Sequence, residues 1–157
     1  MPIPREGELA PDFTVMSDSG DALRLSELQG RWVALFFYPK DDTPGCTVEA
    51  EGFRDQAHRY DGADAILLGI SPDDVASHCR FKEKYGLPYT LLADTDHAVA
   101  ERYGVWREKS MFGRKFWGVV RTTFLIDREG RIAKVFAKVD PPTHAEEVLR
   151  ELAALNA

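Results

Sequence analysis

The chain has 157 residues, 44% of them hydrophobic and 29% charged, enough to bury a full core without disulfide staples. Its formal net charge of -6 argues against general affinity for nucleic acid or anionic membrane surfaces. No apolar run approaches the roughly 20 residues that span a bilayer, and residues 1–8 lack the apolar stretch of a secretory signal, so one cytoplasmic domain over residues 1–157 is expected.

In chain order, Phe13 to Met16 and Ala22 to Leu25 flank the turn-rich Ser17-Asp18-Ser19-Gly20-Asp21 and read as an N-terminal β-hairpin. Trp32-Val33-Ala34-Leu35-Phe36-Phe37-Tyr38 is an unbroken apolar run of the kind that forms a buried central strand. Pro39 to Gly45 breaks it with two prolines, a glycine and two aspartates, and a helix follows from Cys46 through Tyr60. Ala65 to Ile70 is a second buried strand, and Asp73 to Tyr85 a helix stopped by Gly86-Leu87-Pro88. Thr95 to Tyr103 reads as a short helix opened by Thr95-Asp96 and closed at Gly104. Residues 107–121, with Arg107, Lys109, Arg114, Lys115 and Arg121 against one acid, Glu108, read as a solvated loop. The alternative is a positive rim, with Phe112, Phe116 and Trp117 as an apolar collar over a pocket or as core. Thr122 to Ile126 and Ile132 to Phe136 flank Asp127-Arg128-Glu129-Gly130 as an antiparallel hairpin, and Thr143 to Ala154 closes the chain as a helix with a Thr143/Glu146 capping box. Strands alternating with helices indicate an α/β fold with a central mixed β-sheet flanked by helices.

Cys46 is the residue that points to chemistry. It lies at the first turn of a helix just past the carboxyl end of a buried strand, where unpaired N–H groups and the helix dipole stabilise an anionic thiolate. The bland alternative is a small buried hydrophobe, as free cysteines commonly are. His58, His78, His97 and His144 are scattered without zinc-ligand spacing, and no Cys-x-x-Cys is present.

The segment Phe37-Tyr38-Pro39-Lys40-Asp41-Asp42-Thr43-Pro44-Gly45-Cys46-Thr47-Val48-Glu49 resembles the signature of the peroxiredoxins, most closely their bacterioferritin comigratory protein, or PrxQ, subfamily. The likeness continues through Gly69-Ile70-Ser71, Leu91-Leu92-Ala93-Asp94, Tyr103-Gly104-Val105-Trp106 and Val120 to Asp127. The resemblance implies a thioredoxin-like fold and reduction of hydrogen peroxide or organic hydroperoxides without metal, haem or other cofactor. It also implies thioredoxin or a similar thiol reductant, and of the monomers and dimers it allows, a monomer is expected. It makes Cys46 the nucleophile, Pro39 the shield of its thiolate, and Thr43 and Arg121 the groups that hold sulfur and peroxide. Asp41 and Asp42, as carboxylates close to a thiolate, are expected to face solvent. Glu49 shares a helix face with Cys46 and reads equally as a first-turn acid serving the dipole, so it is left outside the site.

The oxidised sulfur needs a second thiol, and here the chain departs from the subfamily pattern. Glu51 stands where many relatives carry that cysteine, five residues after the first. In Ser77-His78-Cys79-Arg80-Phe81-Lys82 another common frame is present, but Lys82 holds its cysteine position and Cys79 comes one helical turn earlier. Cys79 is the expected resolving residue, since it is the other thiol of the chain. Two rivals stand beside this: a one-cysteine peroxidase resolved by an external thiol such as glutathione, and a thioredoxin-fold redox sensor or holdase without turnover.

Overall fold

The computed structural model describes residues 2–156. Along the chain come β1 (Thr14–Ser17), β2 (Ala22–Arg24), a 3-10 turn at Leu25–Leu28, β3 (Trp32–Phe37), α1 (Pro44–Gly62), β4 (Ala65–Ser71), α2 (Val75–Tyr85), β5 (Thr90–Ala93), α3 (Ala98–Arg102), β6 (Trp106–Met111), β7 (Arg114–Val119), β8 (Thr122–Ile126), β9 (Ile132–Phe136) and α4 (His144–Leu155). Seven strands form one mixed sheet in the order β2-β1-β5-β4-β3-β8-β9, and β6 and β7 pair apart from it. Strands β3, β4 and β5 run parallel, while the remaining neighbours are antiparallel.

All six residues of β3 are buried, which is why its sequence shows no alternation. Trp32, Ala34 and Phe36 pack with Phe53 and Tyr60 of α1 and Val148 and Leu152 of α4. Val33, Leu35 and Phe37 pack into a second cluster with Val99, Tyr103 and Phe124. This two-faced burial makes β3 a rigid rod whose carboxyl end aims the loop that carries Cys46. Helix α2 ends as expected at Gly86, which caps it in the left-handed conformation (φ 62°) with the Leu87 amide on Lys82 O. No helix among the described residues is long and apolar enough to cross a membrane.

Five elements depart from expectation. β5 went unread because it is only four residues long, between two turns. Residues 107–121 are mostly a hairpin rather than a loop: β6 and β7 are largely exposed on both faces, so no apolar alternation marks them. Phe112 is 97% exposed at its tip, and Phe116 and Trp117 are exposed as well, so none of the three is core. The helix expected over Thr95 to Tyr103 shortens to α3, because His97 adopts a left-handed conformation (φ 50°) and Asp94, not Thr95 or Asp96, accepts the Val99 and Ala100 amides. The capping box of α4 does not form: Thr143 donates its hydroxyl to Asp140 and Glu146 pairs with Arg59 of α1.

Candidate active site

The Tyr38 amide makes one last bond to Ile70 O, 3.0 Å, and the chain then turns through residues 39–43 with Asp42 in the left-handed region (φ 57°). Thr43 is the N-cap residue of α1 and Pro44 its first helical residue, a place where a missing N–H is harmless. The helix thus begins two residues earlier than its sequence suggested. Cys46 falls in its first turn, 2% exposed, at the positive end of the dipole.

Arg121 reaches this turn through strand register. β8 lies antiparallel to β3 with Thr122 opposite Phe37, so the residue before β8 stands level with the start of the loop. Its guanidinium spans two partners: Nη1 donates to Glu49 Oε1 at 2.7 Å and Nη2 to Cys46 Sγ at 3.4 Å. A Cβ on residue 45 would lie 3.2 Å from that Nη2, so Gly45 leaves the room in which the guanidinium sits. Burial works against the charge of Arg121, but the Glu49 carboxylate and the Cys46 sulfur hold its pKa above the ordinary arginine value. Lys109 of β6 adds a second cation. Burial and then Arg121 pull its pKa down, the Cys46 sulfur acts in the opposite direction, and its Nζ donates to Val119 O at 2.9 Å.

Glu49 belongs to this constellation, although its sequence position was equally that of a plain first-turn acid. It is wholly buried, and burial pushes its pKa up to about 7 against the pull of Arg121, while Oε2 has no hydrogen-bond partner among the described residues. A carboxyl whose folded pKa exceeds its unfolded value of 4.5 costs stability as pH rises between the two. Glu49→Gln keeps an acceptor for Arg121 and removes that cost. Relative to the parent, the variant is expected to gain on the order of 3 kcal/mol between pH 4.5 and 7 and nothing further above, read by urea unfolding across that range. A gap independent of pH would show that Glu49 stays ionised.

The remaining expected residues are placed less simply. Thr43 spends its hydroxyl proton on Lys40 O, 2.8 Å away, and Pro39 is half-buried in the same turn. Asp42 is exposed and pairs with Lys84 and Tyr85, as a solvent-facing acid does. Asp41 does not face solvent: it is 7% exposed and bonded to Tyr38, Ser77 and His78. Cys79 is exposed on α2, where its thiol donates to Asp18 O at 3.1 Å beside a Lys82–Asp18 ion pair. Asp18 follows β1, three strand steps from β3, or about 14 Å at about 4.8 Å per step. The two sulfurs are therefore not adjacent here, and both are free thiols.

Known proteins resemble this chain along most of its length. The AhpC/TSA family model matches residues 7–135. A putative peroxiredoxin Bcp of Coxiella burnetii is 52% identical over 146 residues, covering 93% of this chain and 97% of that protein. Peroxiredoxin Bcp of Bacillus subtilis is 45% identical over 146 residues, with 93% of each covered. Among solved structures, a cysteine-to-serine mutant of Xylella fastidiosa PrxQ superposes with a TM-score of 0.94 at 32% identity over 100% of both chains. The Xanthomonas campestris bacterioferritin comigratory protein, solved in work on its alkyl peroxide reduction, gives 0.88 at 36% identity over 92% of each. The seven-stranded thioredoxin-like sheet and the matched sequence lead to one conclusion: the chain belongs to the AhpC/TSA family as a peroxiredoxin of the Bcp/PrxQ kind, a thiol-dependent peroxidase.

Proposed function

We propose that Cys46 is the nucleophile of this peroxidase, and the observation that carries the proposal is the Arg121 guanidinium shared between Cys46 Sγ and buried Glu49. The thiolate attacks one peroxide oxygen, the O–O bond breaks, and the other oxygen leaves as water or alcohol after taking a proton, leaving Cys46 as a sulfenic acid. The fixed charge of Arg121 stabilises first the thiolate and then the charge that grows on the departing oxygen. Thr43 exchanges its bond to Lys40 O for one to the peroxide, and Pro39 keeps bulk water from the sulfur. Hydrogen peroxide and organic hydroperoxides are the substrates.

The sulfenic acid is resolved by Cys79: the S–O bond breaks, an S–S bond forms and water leaves. Bridging needs the two Cα atoms within about 7 Å, so the first turn of α1 and part of α2 must part from the sheet. A thioredoxin-like dithiol then reduces the bridge, and the chain works as a cytoplasmic, one-domain monomer with no nucleic-acid partner. The Cys79–Asp18 contact favours the second reading, an external thiol as resolver. Intact mass of the reduced protein after one equivalent of hydrogen peroxide, with thiols blocked on quenching, separates the two. The expected result is loss of two hydrogens with no blockable thiol. Gain of one oxygen with Cys79 still blockable would hand resolution to an external thiol.

A further inference from the structure

The loop that carries Cys46 is fastened to α2 by a buried polar cluster that the peroxide chemistry does not use. Asp41 Oδ1 accepts the Tyr38 hydroxyl at 2.6 Å, and Oδ2 accepts the Ser77 hydroxyl at 2.8 Å and faces His78 Nδ1 at 2.7 Å. The Asp41 amide donates to Asp73 Oδ2 at 2.8 Å, and the other ring nitrogen of His78 lies 2.8 Å from Leu92 O. These partners come from the β3–α1 loop, the β4–α2 turn, α2 and β5, so the cluster joins the catalytic loop to α2 and the sheet.

The ring of His78 is wholly buried between two acceptors. Neither a carboxylate nor a carbonyl has a proton to give, so both nitrogens must donate, which only the doubly protonated imidazolium does. Three donors converging on the two oxygens of Asp41 complete the match. Asp41, Asp73 and His78 have the spacing of metal ligands, but a ring that donates from both nitrogens has no lone pair for a metal. The pair is an internal salt bridge, and breaking it in place would strand a charge away from water.

We propose that the Asp41–His78 pair is a positioning clasp that holds the Cys46 loop docked on α2, and thereby sets how the Cys46 sulfenic acid divides between capture by a thiol and a second oxidation. This rests on Cys46 being the nucleophile. Cys46 is 2% exposed and the thiol of Cys79 points elsewhere, so a thiol meets the sulfenic acid only when the loop lifts. A second peroxide meets it in place, adding one oxygen to the sulfur to give sulfinic acid and releasing water or alcohol. A tighter clasp therefore favours sulfinic acid and a looser one favours disulfide.

The clasp is also sensitive to pH. The groups facing His78 are Asp41, Asp73, Tyr38 and the Leu92 carbonyl. Burial opposes its charge, but the bond to Asp41 and its negative charge outweigh burial, so the folded ring keeps its proton above the ordinary histidine value of 6.5. The clasp is whole below that value and weakens as pH rises through the folded-state value.

The test oxidises reduced protein with a fixed excess of hydrogen peroxide in the presence of glutathione and reads the sulfinic-to-disulfide ratio at Cys46 by mass. At pH 6.5 the ratio is expected to fall several-fold in Asp41→Asn, which keeps the shape and drops the charge, and about twofold in Ser77→Ala, which removes one bond. The gap between parent and Asp41→Asn should narrow as pH rises from 6.5 towards 9. An unchanged or higher ratio in Ser77→Ala overturns the proposal even if Asp41→Asn fails to fold. So does a gap that ignores pH. Parent protein that forms neither product at Cys46 would instead overturn the assignment of the nucleophile.

Discussion

Peroxide consumption is expected to fall by about a thousandfold or more in Cys46→Ser, while thermal unfolding stays within a few degrees of the parent. The substitution exchanges sulfur for oxygen in a site that is 2% exposed, so packing changes little. The chemistry changes completely. A serine hydroxyl stays protonated at neutral pH unless a base removes the proton, whereas a cysteine supplies its own thiolate. The group the fold sets against the residue 46 side chain is the Arg121 guanidinium, a donor that takes no proton, with Glu49 behind it. Coupled turnover with a thioredoxin system and direct oxidation followed by mass should agree. Activity that survives in Cys46→Ser would move the chemistry to Cys79, which sits exposed without a guanidinium partner.

What the sequence showed, and what it hid, follows from which features are local. An apolar run between turn residues is local, so β3, β4 and the β8–β9 hairpin were legible. The β6–β7 hairpin has no buried face to imprint a period, and its turn at Phe112-Gly113 needs two left-handed residues, one of them an unfavoured phenylalanine. Arg121 has no local signal at all. Only the pairing of Phe37 with Thr122 brings it to the loop, and in the sequence only the family resemblance points to it. Asp41 was expected to point outward because a bare carboxylate beside a thiolate raises its pKa. The fold meets that objection differently, turning the carboxyl to α2 where His78 balances its charge. Glu49 could be placed on the Cys46 face from spacing, but its complete burial and its pairing with Arg121 arise from packing between residues distant in sequence.

Arg121→Ala is expected to slow oxidation of Cys46 by about 10²–10³-fold, the cost of removing one donor aimed at developing charge. Arg121→Lys should recover little of this, since one ammonium cannot span Glu49 Oε1 and Cys46 Sγ as the guanidinium does. A second consequence separates charge stabilisation from simple loss of structure. Arg121→Ala strands Glu49 without its partner, and breaking a buried pair costs about 3–5 kcal/mol when the remaining group stays charged. Glu49 escapes that cost by keeping a proton, which in the parent it gives up at about pH 7, so the destabilisation should be small in acid and grow by about 1.4 kcal/mol per pH unit above 7. Adding Glu49→Gln removes the stranded charge and should restore stability at pH 8 without restoring the rate. Stopped-flow oxidation and urea unfolding on the same three proteins measure both quantities. If the double variant regained its rate along with its stability, Arg121 would be serving the fold of α1, and the charge facing Cys46 would have to come from Lys109 and the helix terminus.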